Sequence, residues 1–256
     1  TLTATTLSIE TEGFSVAIKD AAEIEGFVSE LSGSQLKVNG QAVTYSGTTQ
    51  FDGGAVIDLV NGSKVEVEGV LSGGVLAARK ISFKEGVRLE SNVASVNISN
   101  GTLTLKGLTG VTIIVDAATT ELDGTSGLAG STPLVVGDHI EVRGQVTATL
   151  DTVLATRLLK DSPSTATDPF RVVLRGPVED DPIIPDQITI LGISINTSLL
   201  SPFTFFVEQD DGTSTLISRT NFYAGLVPGE VAKVRGQMNN VDIAPTWEQG
   251  EKQNKL

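Results

Sequence analysis

The sequence predicts an all-β protein of three tandem small barrels, each of about five short strands. Three observations predict this: a nine-residue block written three times, alternation of apolar and polar residues inside each copy, and turn residues between the copies. The blocks read "NGSKVEVEG" at 61–69, "VGDHIEVRG" at 136–144 and "PGEVAKVRG" at 228–236.

Within each block, Gly62, Gly137 or Gly229 opens a tight turn, and Val67, Val142 or Val234 stands two residues before Gly69, Gly144 or Gly236. Val65 and Val67, like Ile140 and Val142, point to one face, with Glu66 and Glu68, or Glu141 and Arg143, on the other. Each block is therefore a strand with one face on a core. Upstream, "AEIEGFVSEL", "GVRLESNVASV" and "RVVLRGPVED" correspond. They are followed by the broken alternating segments "SQLKVNGQAV", "GTLTLKGLTGV" and "DQITILGISI". The turn "TTQFDG" at 48–53 matches "TTELDG" at 119–124, and "GVLAARKISF" after the first block resembles "TVLATRLLKD" after the second. An open sheet of this size would leave apolar edges unpaired, so closure into OB-like barrels is expected.

The divisions follow: an orphan strand and linker at 1–20, module one at 21–85, module two at 86–161, a linker at 162–170 and module three at 171–256. The orphan strand is "LTATTLSI" at 2–9, whose Leu2, Ala4, Leu7 and Ile9 fall on Leu76, Ala78, Ile81 and Phe83 of module one's closing strand. Module three's own closing segment, "VDIAPTWEQGEK", is expected to be a weak strand because Pro245 removes a ladder donor. The short joint "KEG" at 84–86 predicts stiff coupling of modules one and two. The stretch "DSPSTATDP" predicts a hinge before module three.

Composition excludes several function classes. A formal charge of −13 without clustered Lys or Arg opposes nucleic acid and anionic membrane surfaces. No apolar run is long enough to span a bilayer, so no membrane insertion is expected. With no Cys, disulfides, thiolate metal sites and thiol nucleophiles are absent. The chain opens at Thr1 without Met, which is expected of a mature product or a fragment.

The pattern "EGFV" at 25–28, "LKVNG", "TTQFDG", "NGSKVEVEG" and "LAARKI" resembles the bacterial domain of unknown function 5666, small tandem β-barrels of envelope and secreted proteins. Module one fits best and module two well. Module three fits through "LRGPV" and "PGEVAKVRGQ". The resemblance implies a bacterial, exported, non-catalytic module; its motif residues are turn and core residues, so it specifies a fold and implies no catalytic residue.

No catalytic, cofactor-binding or metal-ligating residue is assigned. His139, the only histidine, alternates outward and is expected on a solvent-facing strand position. Asp52, Asp123 and the run Asp210-Asp211-Gly212 read as turns, and no calcium-loop spacing accompanies them or Glu179-Asp180-Asp181. One Trp and two Tyr give little stacking surface for sugar or single-stranded nucleic acid. The one aromatic concentration, Phe203, Phe205 and Phe206 with Phe222 and Tyr223, is either the core of module three or an apolar contact with a subunit or ligand.

The leading expectation is a non-enzymatic, extracellular or envelope structural protein that self-associates head to tail into a filament by strand donation. Leu2, Ala4, Leu7 and Ile9 would insert beside module three's weak closing strand, with the aromatic residues at the contact. The alternative is a binding-module fragment of a longer cell-envelope protein, partnered by another envelope protein.

Overall fold

The computed structural model describes residues 20–149, 151–161, 169–179, 186–198, 204–208, 213–224, 226–239 and 241–253. The fold is all-β, with one short α-helix and one 3-10 turn among the described residues.

Module one contains β1 (Asp20–Ser32), β2 (Gln35–Val38), β3 (Gln41–Thr44), β4 (Gln50–Asp52), β5 (Lys64–Ser72) and β6 (Val75–Lys84). The first half of β1 pairs with β5 and its second half with β2, so one long strand serves two sides of the ring. β2 pairs with β3, β3 runs parallel to β6 at Val43 and Leu76, and β6 pairs with β5, which closes a five-stranded barrel. Alternation fills it: Val65 and Val67 of β5 meet Val28, Leu36, Val38 and Ile81 inside. Outside, lysines and carboxylates alternate across strands, with Lys64 2.6 Å from Glu25 and Lys84 3.0 Å from Glu66.

Module two repeats the ring with β7 (Val87–Asn97), β8 (Thr102–Leu105), β9 (Thr112–Ile114), β10 (Glu121–Asp123), β11 (His139–Val146) and β12 (Thr152–Lys160). β7 pairs with β8 and β11, β8 with β9, and β12 joins β11 antiparallel and β9 parallel.

Module three contains β13 (Phe170–Pro177), β14 (Gln187–Ile190), β15 (Ile193–Asn196), β16 (Thr204–Glu208), β17 (Ser214–Ile217), α1 (Arg219–Ala224), β18 (Val231–Met238) and β19 (Thr246–Gln253). β13 pairs with β18, and β18 with β19. The expected third closed barrel is not completed among the described residues. β14 and β15 form a separate two-stranded sheet, tied to the first strand through Val178 and Ile190. The register supplies the reason. Trp247 lies opposite Gly236 as Ala78 lies opposite Gly69, so Pro245 stands where Leu76 makes the parallel ring pairing in module one. Proline has no N–H to give that ladder.

Pro245 stops there. The expectation of a weak closing strand is corrected: β19 begins at the next residue, pairs with β18 from Thr246 to Lys252 and runs parallel to β16 from Gln249 to Gln253.

The repeated block now has a physical account. Gly62 donates to Val28 O (2.8 Å), Gly137 to Val93 O (2.9 Å) and Gly229 to Val178 O (2.8 Å), each pinning the turn to its module's first segment. All three glycines have positive φ, at 89°, 95° and 86°. Val67, Val142 and Val234 are fully buried. Gly69, Gly144 and Gly236 each sit at a register shift, and a Cβ there would lie 2.2–2.3 Å from the carbonyl oxygen of Ala77, Leu154 or Thr246. Only glycine fits that bulge.

The expected hinge before module three is also corrected. β13 pairs antiparallel with β7, and modules two and three share one apolar core running from Val87 to Trp247. Module one keeps its own core. It meets module two where Thr156 donates to Glu85 (2.9 Å) and where a Cβ on Gly86 would lie 3.2 Å from Lys64 Cβ and Phe27 Cε1.

Candidate assembly interface

Beyond the joint of modules one and two, module three meets each of the others through a distinct contact, and both contacts use equivalent residues. The first is a strand seam. Val67, Val142 and Val234 lie opposite Ile24, Leu89 and Leu174, so these three are the same position of the repeat. Leu89 of β7 faces Leu174 of β13, and the pairs Glu90–Val173 and Arg88–Arg175 flank them. Modules two and three therefore join about a local two-fold axis, each contributing the free edge of its first strand.

A polar network covers this seam. Glu90 is buried and accepts from Arg171 of module three (2.6 Å) and from Arg88 (3.3 Å), while His139 Nε2 lies 3.3 Å away. His139 Nδ1 and Asn92 Oδ1 are hydrogen-bonded at 2.8 Å. Arg88 continues to Glu141 (2.8 Å), which also accepts from Arg143 (2.9 Å). Burial pushes the Glu90 carboxyl upward, but hydrogen bonds from His139 and Arg171 outweigh it and hold it below the usual carboxylate range.

The expectation for His139 is thereby corrected. It is buried, with the Phe170 ring 6.2 Å from its own. Strand alternation did place it on the outer face, but module three covers that face.

The expected interface residues fare differently. Leu2, Ala4, Leu7, Ile9 and Phe203 lie outside the described residues. Phe205, Phe222 and Tyr223 are buried in the shared core, with ring centroids 4.8 Å apart for Phe205–Phe222 and 5.2 Å for Phe222–Tyr223. Tyr223 and Thr197 hydroxyls hydrogen bond at 2.7 Å, and burial raises the phenol's pKa. Phe206 is half-buried. Of the two readings left open for this cluster, core packing describes Phe205, Phe222 and Tyr223. Asp52 and Asp123 end short strands and pair with Lys80 (3.4 Å) and Arg157 (3.6 Å).

With strands, turns and bulges in register, the comparison with known families places the first two modules. Residues 25–82 and 92–158 match, in tandem, the family described as domain of unknown function (DUF5666). The first two modules are DUF5666 domains. No curated protein matches the chain. The third module shares their pinned turn, buried valine and glycine bulge.

The second kind of contact joins DUF5666 module one to module three. Val60, beside the Gly62 turn, packs against the shared core, and a Cβ on Gly62 would lie 2.9 Å from Pro177 Cγ. Reciprocally, a Cβ on Gly229 would lie 3.9 Å from Ser29 Cβ and Val28 O. Each module's turn thus rests against the other's first segment. The corresponding end of module two carries an open hollow of about 520 Å³ lined by residues including Val96, Ile98, Leu128, Pro133, Val135 and Val136.

Proposed function

We propose that the chain is an exported, non-enzymatic structural protein of the cell envelope or extracellular space, built of β-barrel modules that associate with one another. One observation carries this reading: Leu89 and Leu174, the same position of two repeats, join two modules edge to edge within the chain. The repeated motif residues serve turn, core and bulge. Glu90, a buried carboxylate held below its usual pKa range, is gripped by cations within a seam. Strand donation by residues 2–9 beside module three's closing strand would have to displace β16, because β19 pairs with β18 on one edge and β16 on the other, so assembly is proposed through module faces instead.

A second reading, a binding module within a longer cell-envelope protein, draws on the apolar hollow of module two. Sedimentation of the chain over a wide concentration range tests the first reading. A structural assembly protein gives concentration-dependent oligomers, whereas a monomer at every concentration favours the binding module.

A further inference from the structure

We infer that the apolar end of module two, formed by the turn at 134–137 and the strand end at 94–98, is the surface through which one copy of this chain meets a second copy. The inference deepens the self-associating reading above and rests on it.

Three observations carry it. First, the equivalent ends of modules one and three already cover each other, through the Gly62 turn on Pro177 and the Gly229 turn on Ser29. Gly137, at the same place in module two, has nothing within 4 Å of the position a Cβ would take. Second, three exposed apolar side chains line one hollow here: Ile98 is 65% exposed, Val135 54% and Val136 61%. In the corresponding turns Leu59 and Leu226 are buried, as is Leu134, so all three turns share the same anchor and differ in what surrounds it. Third, the lining segments 91–105 and 124–137 contain no Asp, Glu, Lys or Arg, in a chain whose formal charge is −13. Two copies of so acidic a chain repel, and contact is favoured where that charge is absent.

The occupant is a second copy because this face packs on its own kind within the chain. In a two-fold dimer the 134–137 turn of each copy would lie against Ala94–Ile98 of the other, as modules one and three do. The competing self-contact, two β1 strands paired about Ile24 in the manner of Leu89 and Leu174, would set Glu23 opposite Glu25 twice. Like charges directly opposed destabilise a strand pair.

The test is sedimentation equilibrium of the full chain beside the double variant Val135→Glu/Ile98→Glu and a control, Ile57→Glu, at a 74%-exposed position in module one. The double variant should weaken the dimer by about tenfold or more, because association would bury two carboxylates in each copy. The control should associate like the wild type. Both should melt like the wild type, since the substituted side chains are exposed. Hydrogen exchange of the unmodified chain supplies a readout free of folding defects. Protection at 94–98 and 134–137 should rise with concentration. A wild type that dimerises while the double variant dimerises equally, or whose added protection lies elsewhere, overturns the inference and leaves the self-associating reading standing. A wild type that stays monomeric overturns both.

Discussion

Leu89 and Leu174 lie directly opposite one another on antiparallel β7 and β13, both fully buried, and each is the same position of its own module. This pair turns two small modules into one body with one core. Small domains bury too little surface to be robust alone, and sharing a core relieves that limit. Truncating either leucine to alanine should cost about 2–5 kcal/mol through lost burial and a residual cavity. Calorimetry should show modules two and three melting together, and Leu174→Ala lowering that joint transition while leaving module one's intact.

Gly144 gives a contrast with Gly137. At the bulge, alanine would set its Cβ 2.3 Å from Leu154 O, and strand backbone cannot yield without breaking the ladder. Gly144→Ala should cost on the order of 3 kcal/mol. Gly137→Ala meets no neighbour within 4 Å and suffers only from its φ of 95°, so about 1 kcal/mol is expected. Denaturant titration of the two variants checks the order.

The seam also predicts a pH dependence. Glu90 has a folded pKa below its unfolded value, because hydrogen bonds from His139 and Arg171 exceed the opposing effect of burial. Its contribution is therefore fully present above the ordinary carboxylate pKa and lost as pH falls through the lowered folded value. Glu251, buried beside Lys233 and Ser214, has the same sign: burial raises its pKa and those partners more than reverse it. Glu90→Gln should flatten the acid limb of stability. At neutral pH it should cost about 1–3 kcal/mol, the lower side of a broken buried pair because the partly exposed Arg171 keeps its hydration. Urea midpoints between pH 3 and pH 8 measure both effects.

Much of the fold was legible in the sequence because its determinants are local. Val65 and Val67 alternate with glutamates, and a strand with one buried face requires that alternation. The glycines at 62, 137 and 229 mark turns for the same kind of reason. What could not be read depends on contacts between modules. His139 is outward on its strand, yet module three covers it, and no residue near it in sequence announces that cover. The hinge expected at the Ser/Thr/Pro-rich linker failed similarly, since linker composition says nothing about the strand edges on either side. Pro245 was half legible. It does remove a ladder donor, but the loss falls on the ring pairing with β15 and spares the strand that follows. The aromatic residues at 205, 222 and 223 were visible as a cluster, and only packing shows which surface they face.

The most direct test of the central claim, that modules two and three join rigidly through equivalent strands, is a distance between them in solution. The chain has no cysteine, so Ser99→Cys and Thr215→Cys, both exposed, can carry the only two spin labels. Pulsed electron resonance should return one narrow distance distribution, and that distribution should broaden in Leu89→Asp, which places a charge at the centre of the seam. A broad distribution in the otherwise unmodified chain, as two barrels hinged at 162–170 would give, contradicts the account.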